Sequence, residues 1–354
     1  MIFSKIWERM LFFRALKFIL FFLTAIYLVY VIIDLSAHSG RLFSSSSSLS
    51  TVFLYYLHHF MARLDLFLPL SLLLATISLL TSMNLHHEIV SLRMSGISLG
   101  KLSFPLFILA LLLSISTYLN YEFAAPASLR YIEGFKEKHL HHHSKQTPSL
   151  KVALLKDGSK IVYQSFDAEK KELFDLFWIP SHSDLWHIKY LCLSSMEGRF
   201  ADHLVRKKSD LLFEKKDSYE ARYFPEISWP LDANEMLFTP KENRSLSSLL
   251  QQKTFLSKAD EAATYTHLYY KLIIPLTSPL IVLGLIPFCV RFSKNLQIFF
   301  LTALSLFAFF VFITLMDACT ILGENQVLRA LFALFPMPFF LYFLFGWRFL
   351  KSNL

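Results

Sequence analysis

Six stretches of this chain hold no Lys, Arg, Asp or Glu and consist mainly of apolar residues: 18–33, 66–87, 102–121, 272–290, 295–316 and 330–347. A bilayer core of roughly 30 Å needs about 20 helical residues to cross it. Five of the runs are near that length unaided. The first reaches it with flanking apolar residues, with Lys17 extending its ammonium to the headgroups. Backbone groups in lipid must be bonded within the segment, so the runs predict six transmembrane helices. The composition agrees, with 54% hydrophobic residues and 37 Phe among 354 residues. The first run is longer than a signal-peptide core, and "LSAHSG" after it lacks a small-x-small cleavage site, so it reads as a retained helix. "MIFSKIWERML" before it separates Ile2, Phe3, Ile6, Trp7, Met10 and Leu11 from Ser4, Lys5, Glu8 and Arg9, the pattern of an interfacial helix.

The spans divide three and three around a polar insert. From Glu122 to His267 the chain holds 21 basic and 21 acidic residues, so the whole net charge of +8 belongs to the membrane part. That excess is a topology signal and a headgroup contact, and predicts no nucleic-acid surface. With the N-terminus inside, the inner segments hold Lys5, Arg9, Arg14, Lys17, Arg93, Lys101, Arg291, Lys294, Arg348 and Lys351. The outer short segments hold Arg41, Arg63 and Arg329. The bias predicts cytoplasmic termini and an external insert.

The insert, residues 125–265, reads as β. "LKVALLKDGSKIVYQSF" is two strand-like runs around Asp157-Gly158, a hairpin signal. "LFDLFWI", "LWHIKYLCLS" and "FADHLV" follow, with "MEGR" as a turn. Several short strands point to a sandwich or barrel. In "WHIKYLCL", Ile188, Tyr190 and Cys192 alternate with His187 and Lys189, which predicts that Ile188 and Tyr190 face inward. Cys192 is the one cysteine of the insert, so no internal disulfide forms there. The serine run 44–48 reads as an exterior loop, and "RSLSSLLQQ" (244–252) as a short helix leading back to the membrane.

Catalytic signals are weak. "GISLGK" (96–101) has three residues between its glycines where a phosphate loop has four, and Leu102 stands where Ser or Thr must bind magnesium. "HLHHH" (139–143) lacks the zincin spacing and reads more readily as a solvated junction than as a metal site. Asp34, Asp65 and Asp317 sit at the ends of spans, which argues against a proton path through them. The sequence thus predicts a transporter-like body that is not an enzyme and has no cofactor of its own.

Between the second and third runs lies "NLHHEIVSLRMSGISLG" (84–100). Leu85, Ile89 and Leu92 form one stripe of a short helix over residues 85–95, with Glu88 and Arg93 off the stripe and Gly96 as its stop. From pattern alone it is either a helix resting in the headgroups or one that takes force from a soluble partner.

"HEIVSLRMSGIS" resembles the "SELVALRAAGIS" motif of the lipopolysaccharide export permeases. "LDLFLPLSLLLATISLL", with Pro69, is similar to their second span. "NYEFAAPAS" resembles "NEWVAPQA", with Glu122 and Pro126 in place. "HLYYKLIIPLTSPLIVLGLIPF", with Lys271 and Pro275, is similar to the entry of their fourth span, and "ILGENQVL" to "LGENGVLPP", without its double proline. The resemblance covers nearly the whole chain. It implies three spans with a coupling helix (residues 1–124), a periplasmic β-jellyroll (125–265) and three further spans (266–354) in a bacterial inner membrane. It implies a heterodimer with a paralogous permease, of which "VIIDLSAH" is nearer the G-type. It also implies a dimeric cytoplasmic ABC ATPase that carries ATP and magnesium, and a periplasmic jellyroll bridge protein together with its membrane-anchored form. Glu88, Ile89, Leu92, Arg93 and Gly96 would couple to the ATPase. Where the family carries lysines after the first span, this chain has Asp34, His38 and Arg41. Arg130, Lys136 and Lys138 are the basic residues that would meet lipopolysaccharide phosphates, with Ile188 and Tyr190 receiving acyl chains. Other readings are a lipoprotein-release or macrolide exporter, which splits its spans one and three, or a membrane scaffold, which needs no patterned inner helix.

Overall fold

The computed structural model describes residues 5–44, 49–139, 151–154, 159–167, 172–181, 183–206, 213–227, 241–251, 258–290 and 298–353. The chain forms two compact units: a helical one (1–142, 241–253 and 258–354) and a β one (143–240 and 254–257).

Six helical segments of the first unit are long and apolar enough to cross a membrane: Ile6–His38, Leu64–Leu85, Leu99–Lys136, Glu261–Cys289, Ile298–Glu324 and Ala330–Lys351. They contain or overlap the six apolar runs. The second span, helix α3 (Leu64–Leu85), is apolar on every side and so lies at the centre, with Leu72, Leu79, Leu80 and Met83 fully buried. It packs with α1 (Ile6–Ser44), α5 (Leu99–Leu119) and α9 (Thr277–Cys289) around one core that includes Leu11, Ala15, Leu106, Ala110, Val282 and Cys289. The first and fifth spans bury little, 6% and 11% of their most apolar windows. Phe299, Phe307 and Phe310 of α10 (Ile298–Glu324) face outward.

Several boundaries differ from the sequence reading. The expected interfacial helix and the first span are one continuous helix, α1, because no glycine or proline interrupts residues 6–38. A further helix, α2 (Leu49–Ala62), precedes α3, joined to it through Arg63. The third span does not end at Tyr121. It passes through a π-helical turn, Asn120–Ala124, into α6 (Ala125–His139), which belongs to the helical unit. Ile132 and Phe135 of α6 pack on Val52, Tyr55 and Tyr56 of α2. The returning chain forms a 3-10 turn, Lys241–Asn243, and α7 (Leu246–Gln251), as expected. It then enters the fourth span through α8 (Lys258–Ile273). The sixth span comprises α11 (Ala330–Leu334) and α12 (Pro336–Asn353).

The β unit is a six-stranded antiparallel sheet in chain order: β1 (Lys151–Leu154), β2 (Lys160–Asp167), β3 (Glu172–Ile179), β4 (Asp184–Cys192), β5 (Glu197–Arg206) and β6 (Phe213–Tyr223). The inserted antiparallel β domain is thus as expected, and the β1–β2 hairpin pairs Leu154 with Lys160. Its turn residues Asp157 and Gly158 lie outside the described residues, as do Ser45–Ser48 and Leu140–His143. The turn assigned to "MEGR" (196–199) falls three positions earlier, over Leu193–Met196, where Met196 takes φ 52° and Glu197 opens β5.

The core of this sheet gathers Ile161, Tyr163, Leu176, Trp178, Trp186, Ile188, Leu191, Ala201 and Phe224. The buried parity changes mid-strand. Leu176 and Trp178 are buried on one side of Asp175 and Leu173 on the other. Ile188 and Ala201 pair in register, as do Leu191 and Gly198. Asp175 and Phe200, both with left-handed φ, mark the change.

Candidate functional site

The polar stretch between the second and third spans folds as an elbow, a helix and a stop. After Leu85, His87 takes φ 59°, reversing the chain within two residues. Helix α4 (Glu88–Met94) follows. It is shorter than the expected 85–95, because Leu85 closes α3 instead and is exposed. Gly96 ends α4 with φ 82°. Its amide donates to the Arg93 carbonyl and that of Ile97 to the Leu92 carbonyl, the paired closing bonds that a left-handed residue permits.

One face of α4 belongs to the membrane core. Ile89 is 2% exposed there and Leu92 packs beside it. Glu88 is tied down by α1: Arg14 Nη1 donates to both its carboxylate oxygens, at 3.1 and 3.0 Å, and Nη2 to Ser82 Oγ at 3.4 Å. The Asn84 side-chain amide donates to the Cys289 carbonyl at the end of α9, at 3.4 Å. The other face is open, with Arg93 exposed and Met94 86% exposed. The stretch is therefore a rigid handle, fastened to α1, α3, α5 and α9, with a cation and a thioether outward.

A second polar cluster joins the opposite ends of the spans. Tyr121 donates to Asp65 at 2.9 Å, and Asn120 to the Met61 carbonyl at 2.9 Å. Glu122 accepts from the Ser247 amide and hydroxyl of α7. Lys271 donates to the Arg244 carbonyl at 2.5 Å and lies over the Tyr121 ring. These bonds brace the π-helical turn with α2, α3, α7 and α8.

A family profile, described as lipopolysaccharide export system permease LptF/LptG, matches residues 9–351. The chain belongs to this family. No curated protein matches it. The chain is accordingly a multi-pass membrane protein and a transporter component for lipopolysaccharide, working within the Lpt export system.

In this permease the family-like Glu122 and Lys271 bind the chain's own backbone where it returns to the membrane. Among the lipid candidates, Arg130 is exposed on α6 and donates to the Pro126 carbonyl, while Lys136 is half-buried beside α2. Lys138 lies near the end of α6, and its side chain is outside the described residues, as are Leu140–His143 of the histidine run. Ile188 is fully buried. Tyr190 is half-exposed and leans on Phe174, ring centroids 5.2 Å apart, beyond the point where the buried parity changes.

Sequence reasoning missed Arg14 as a partner of Glu88; a lone arginine 74 positions away carries no local signal. It also missed a histidine-rich layer between α1, α2 and α6. Tyr30 bonds His59 Nδ1 at 3.0 Å, Tyr56 donates to Asp34 at 3.1 Å, and His58 meets Ser128 at 3.1 Å. Burial pushes the His59 pKa down to about 4; Lys136 adds to this and Asp34 opposes it.

Proposed function

We propose that this chain is one permease of a two-permease, ATP-driven exporter. It takes lipopolysaccharide from the outer leaflet of the inner membrane and passes it to a periplasmic β-bridge. The observation that carries the coupling part is α4, whose inner face is locked by Ile89 and Glu88 while Arg93 and Met94 point outward. A cytoplasmic ATPase dimer, holding ATP and magnesium, grips that outer face. Because α4 joins α3 through two residues and α5 through four, a push on it moves the second and third spans together.

The scarcely buried first and fifth spans support a paralogous permease as the neighbour, with a lipid-sized space between the two. Arg130 and Lys136 receive the phosphates and the sheet around Tyr190 receives the acyl chains, before transfer to the bridge protein and its membrane-anchored form. The basic residues at the ends of the spans support cytoplasmic termini and a periplasmic β unit.

Purification from the native membrane in mild detergent tests this reading. An ATPase, a second permease and lipopolysaccharide should co-purify. Recovery of the folded chain with none of them would refute it.

A further inference from the structure

A cavity of about 660 Å³ opens between α8, the turn after α10 and the start of α11, lined among others by Glu261, Tyr265, Tyr269, Gln326, Arg329 and Leu331. The fourth and sixth spans both begin at this cavity, at Glu261 and Ala330, so it sits at a membrane boundary whichever way the chain is oriented. Its volume is that of a site for a small organic group.

Three observations point to an occupant. First, the cavity holds both signs of charge. Glu261 and Arg329 are exposed, and among the described residues neither forms an ion pair. Opposite charges that share a wall without neutralising each other suit a molecule that carries both. Second, Gln326 holds φ 59°. It closes α10 with the bonds that glycine usually permits, its amide donating to the Gly323 carbonyl and that of Val327 to the Leu322 carbonyl. A side chain at such a backbone position is strained, and strain of this kind concentrates at ligand sites. Third, Tyr265 and Tyr269 stack at 6.0 Å, and Tyr269 meets Phe335 edge-on at 5.5 Å. Stacked phenols favour the headgroup level. Beside them Leu331, Phe332 and Phe335 are exposed, an apolar slope leading down the sixth span.

We propose that this cavity binds the headgroup of a zwitterionic phospholipid. Arg329 and the exposed side-chain amide of Gln326 take the phosphate, Glu261 takes the ammonium, and the acyl chains follow Leu331, Phe332 and Phe335. A phosphate-bearing lipid without an amine would satisfy Arg329 and face repulsion from Glu261. The site shares no residue with the proposed route of the exported glycolipid.

The test is native mass spectrometry of the full chain, purified with whatever subunits accompany it and offered equal phosphatidylethanolamine and phosphatidylglycerol. The chain should retain phosphatidylethanolamine about tenfold better, the scale of one charge-assisted contact. Arg329→Ala should lose both lipids, and Arg329→Lys should restore part of the binding, which separates lost contact from lost fold. Glu261→Gln should erase the preference while phosphatidylglycerol is kept. Equal retention of the two lipids by the wild type, Arg329→Ala and Glu261→Gln alike would overturn the site. So would displacement of the lipid by inorganic phosphate alone, or preferential capture of lipopolysaccharide at the same residues. Retention or loss of the two phospholipids leaves the export reading untouched, and the co-purification experiment decides that reading separately.

Discussion

Arg14 and Glu88 lie 74 positions apart, and a single guanidinium nitrogen bonds both oxygens of the carboxylate, at 3.1 and 3.0 Å. Both side chains are about one-third exposed, so solvent screening holds the pair to on the order of 1 kcal/mol. That is small against total stability but large for the angle of a seven-residue helix. Arg14→Ala should leave insertion unchanged, speed amide exchange over 88–94, and lower the coupled ATPase rate. Exchange at the wild-type rate would deny the clasp.

Arg93 has no such internal partner among the described residues, and its charge is free for another subunit. Reversing it, Arg93→Glu, should cut ATPase co-purification roughly 10- to 150-fold, the range of a lost charged contact of about 1.5–3 kcal/mol. The variant should still fold and insert. An undiminished complex that still exports lipid would remove α4 from the contact.

Topology can be read from a native thiol. Cys192 is half-exposed in the β unit, and hydrogen bonds from Ser194 and Ser195 lower its pKa to about 7. It is thus substantially thiolate at a pH of about 7.5, whereas Cys289 is buried in the core. A membrane-impermeant maleimide should label intact spheroplasts at this pH, and Cys192→Ser should abolish most of the signal. Labelling only after rupture would place the β unit inside.

Acid should loosen the α1–α2–α6 layer. Burial pushes His59 from 6.5 down to about 4, with Lys136, Arg63 and His38 acting the same way and Asp34 against. The unfolded chain therefore binds a proton that the folded chain resists. The stability from neutral His59 is complete above pH 6.5 and is lost as the pH falls towards 4. The melting temperature should decline across that window, and His59→Gln should flatten the decline. An unchanged slope in the variant would assign the acid sensitivity elsewhere.

Gly198 is a packing constraint. A Cβ there would lie 2.6 Å from Phe224 Cε2 and 3.0 Å from Ile188 Cγ2. Gly198→Ala should destabilise the β unit by about 1–3 kcal/mol, through overpacking. Limited proteolysis of the full chain should then cut within the insert first. Wild-type resistance would mean that Phe224 yields without cost.

The spans were legible because hydrocarbon tolerates so little polarity that each crossing leaves an unbroken apolar run. The short helix α4 was legible from the spacing of Ile89 and Leu92 and from Gly96. What escaped lies where apolar and polar residues mix. Val52, Tyr55, Tyr56 and His59 repeat at helical spacing, and Ser128, Ile132 and Phe135 do so on α6, yet two histidines and several charges masked both patterns. Strand β6, "FEKKDSYEARY", is almost wholly exposed, so no alternation marks it. Ile188 and Tyr190 alternate as one face would, but the left-handed Asp175 and Phe200 shift the buried face between them, and a phenylalanine does not announce that φ.

The third span and its continuation run unbroken from Leu99 to Lys136, 38 residues. At about 1.5 Å per residue that is a rod of roughly 57 Å, almost twice the hydrocarbon thickness. It starts a few residues after α4, it precedes the β unit in the chain, and the bonds of Asn120, Tyr121 and Glu122 clamp it between. Under the proposed coupling, such a rod works as a seesaw. A rotation of about 5° about that pivot swings a tip some 25 Å away by roughly 2 Å, in the direction opposite to the push at the base. The bilayer need not be carried along for a movement made on one side to be felt, inverted, on the other.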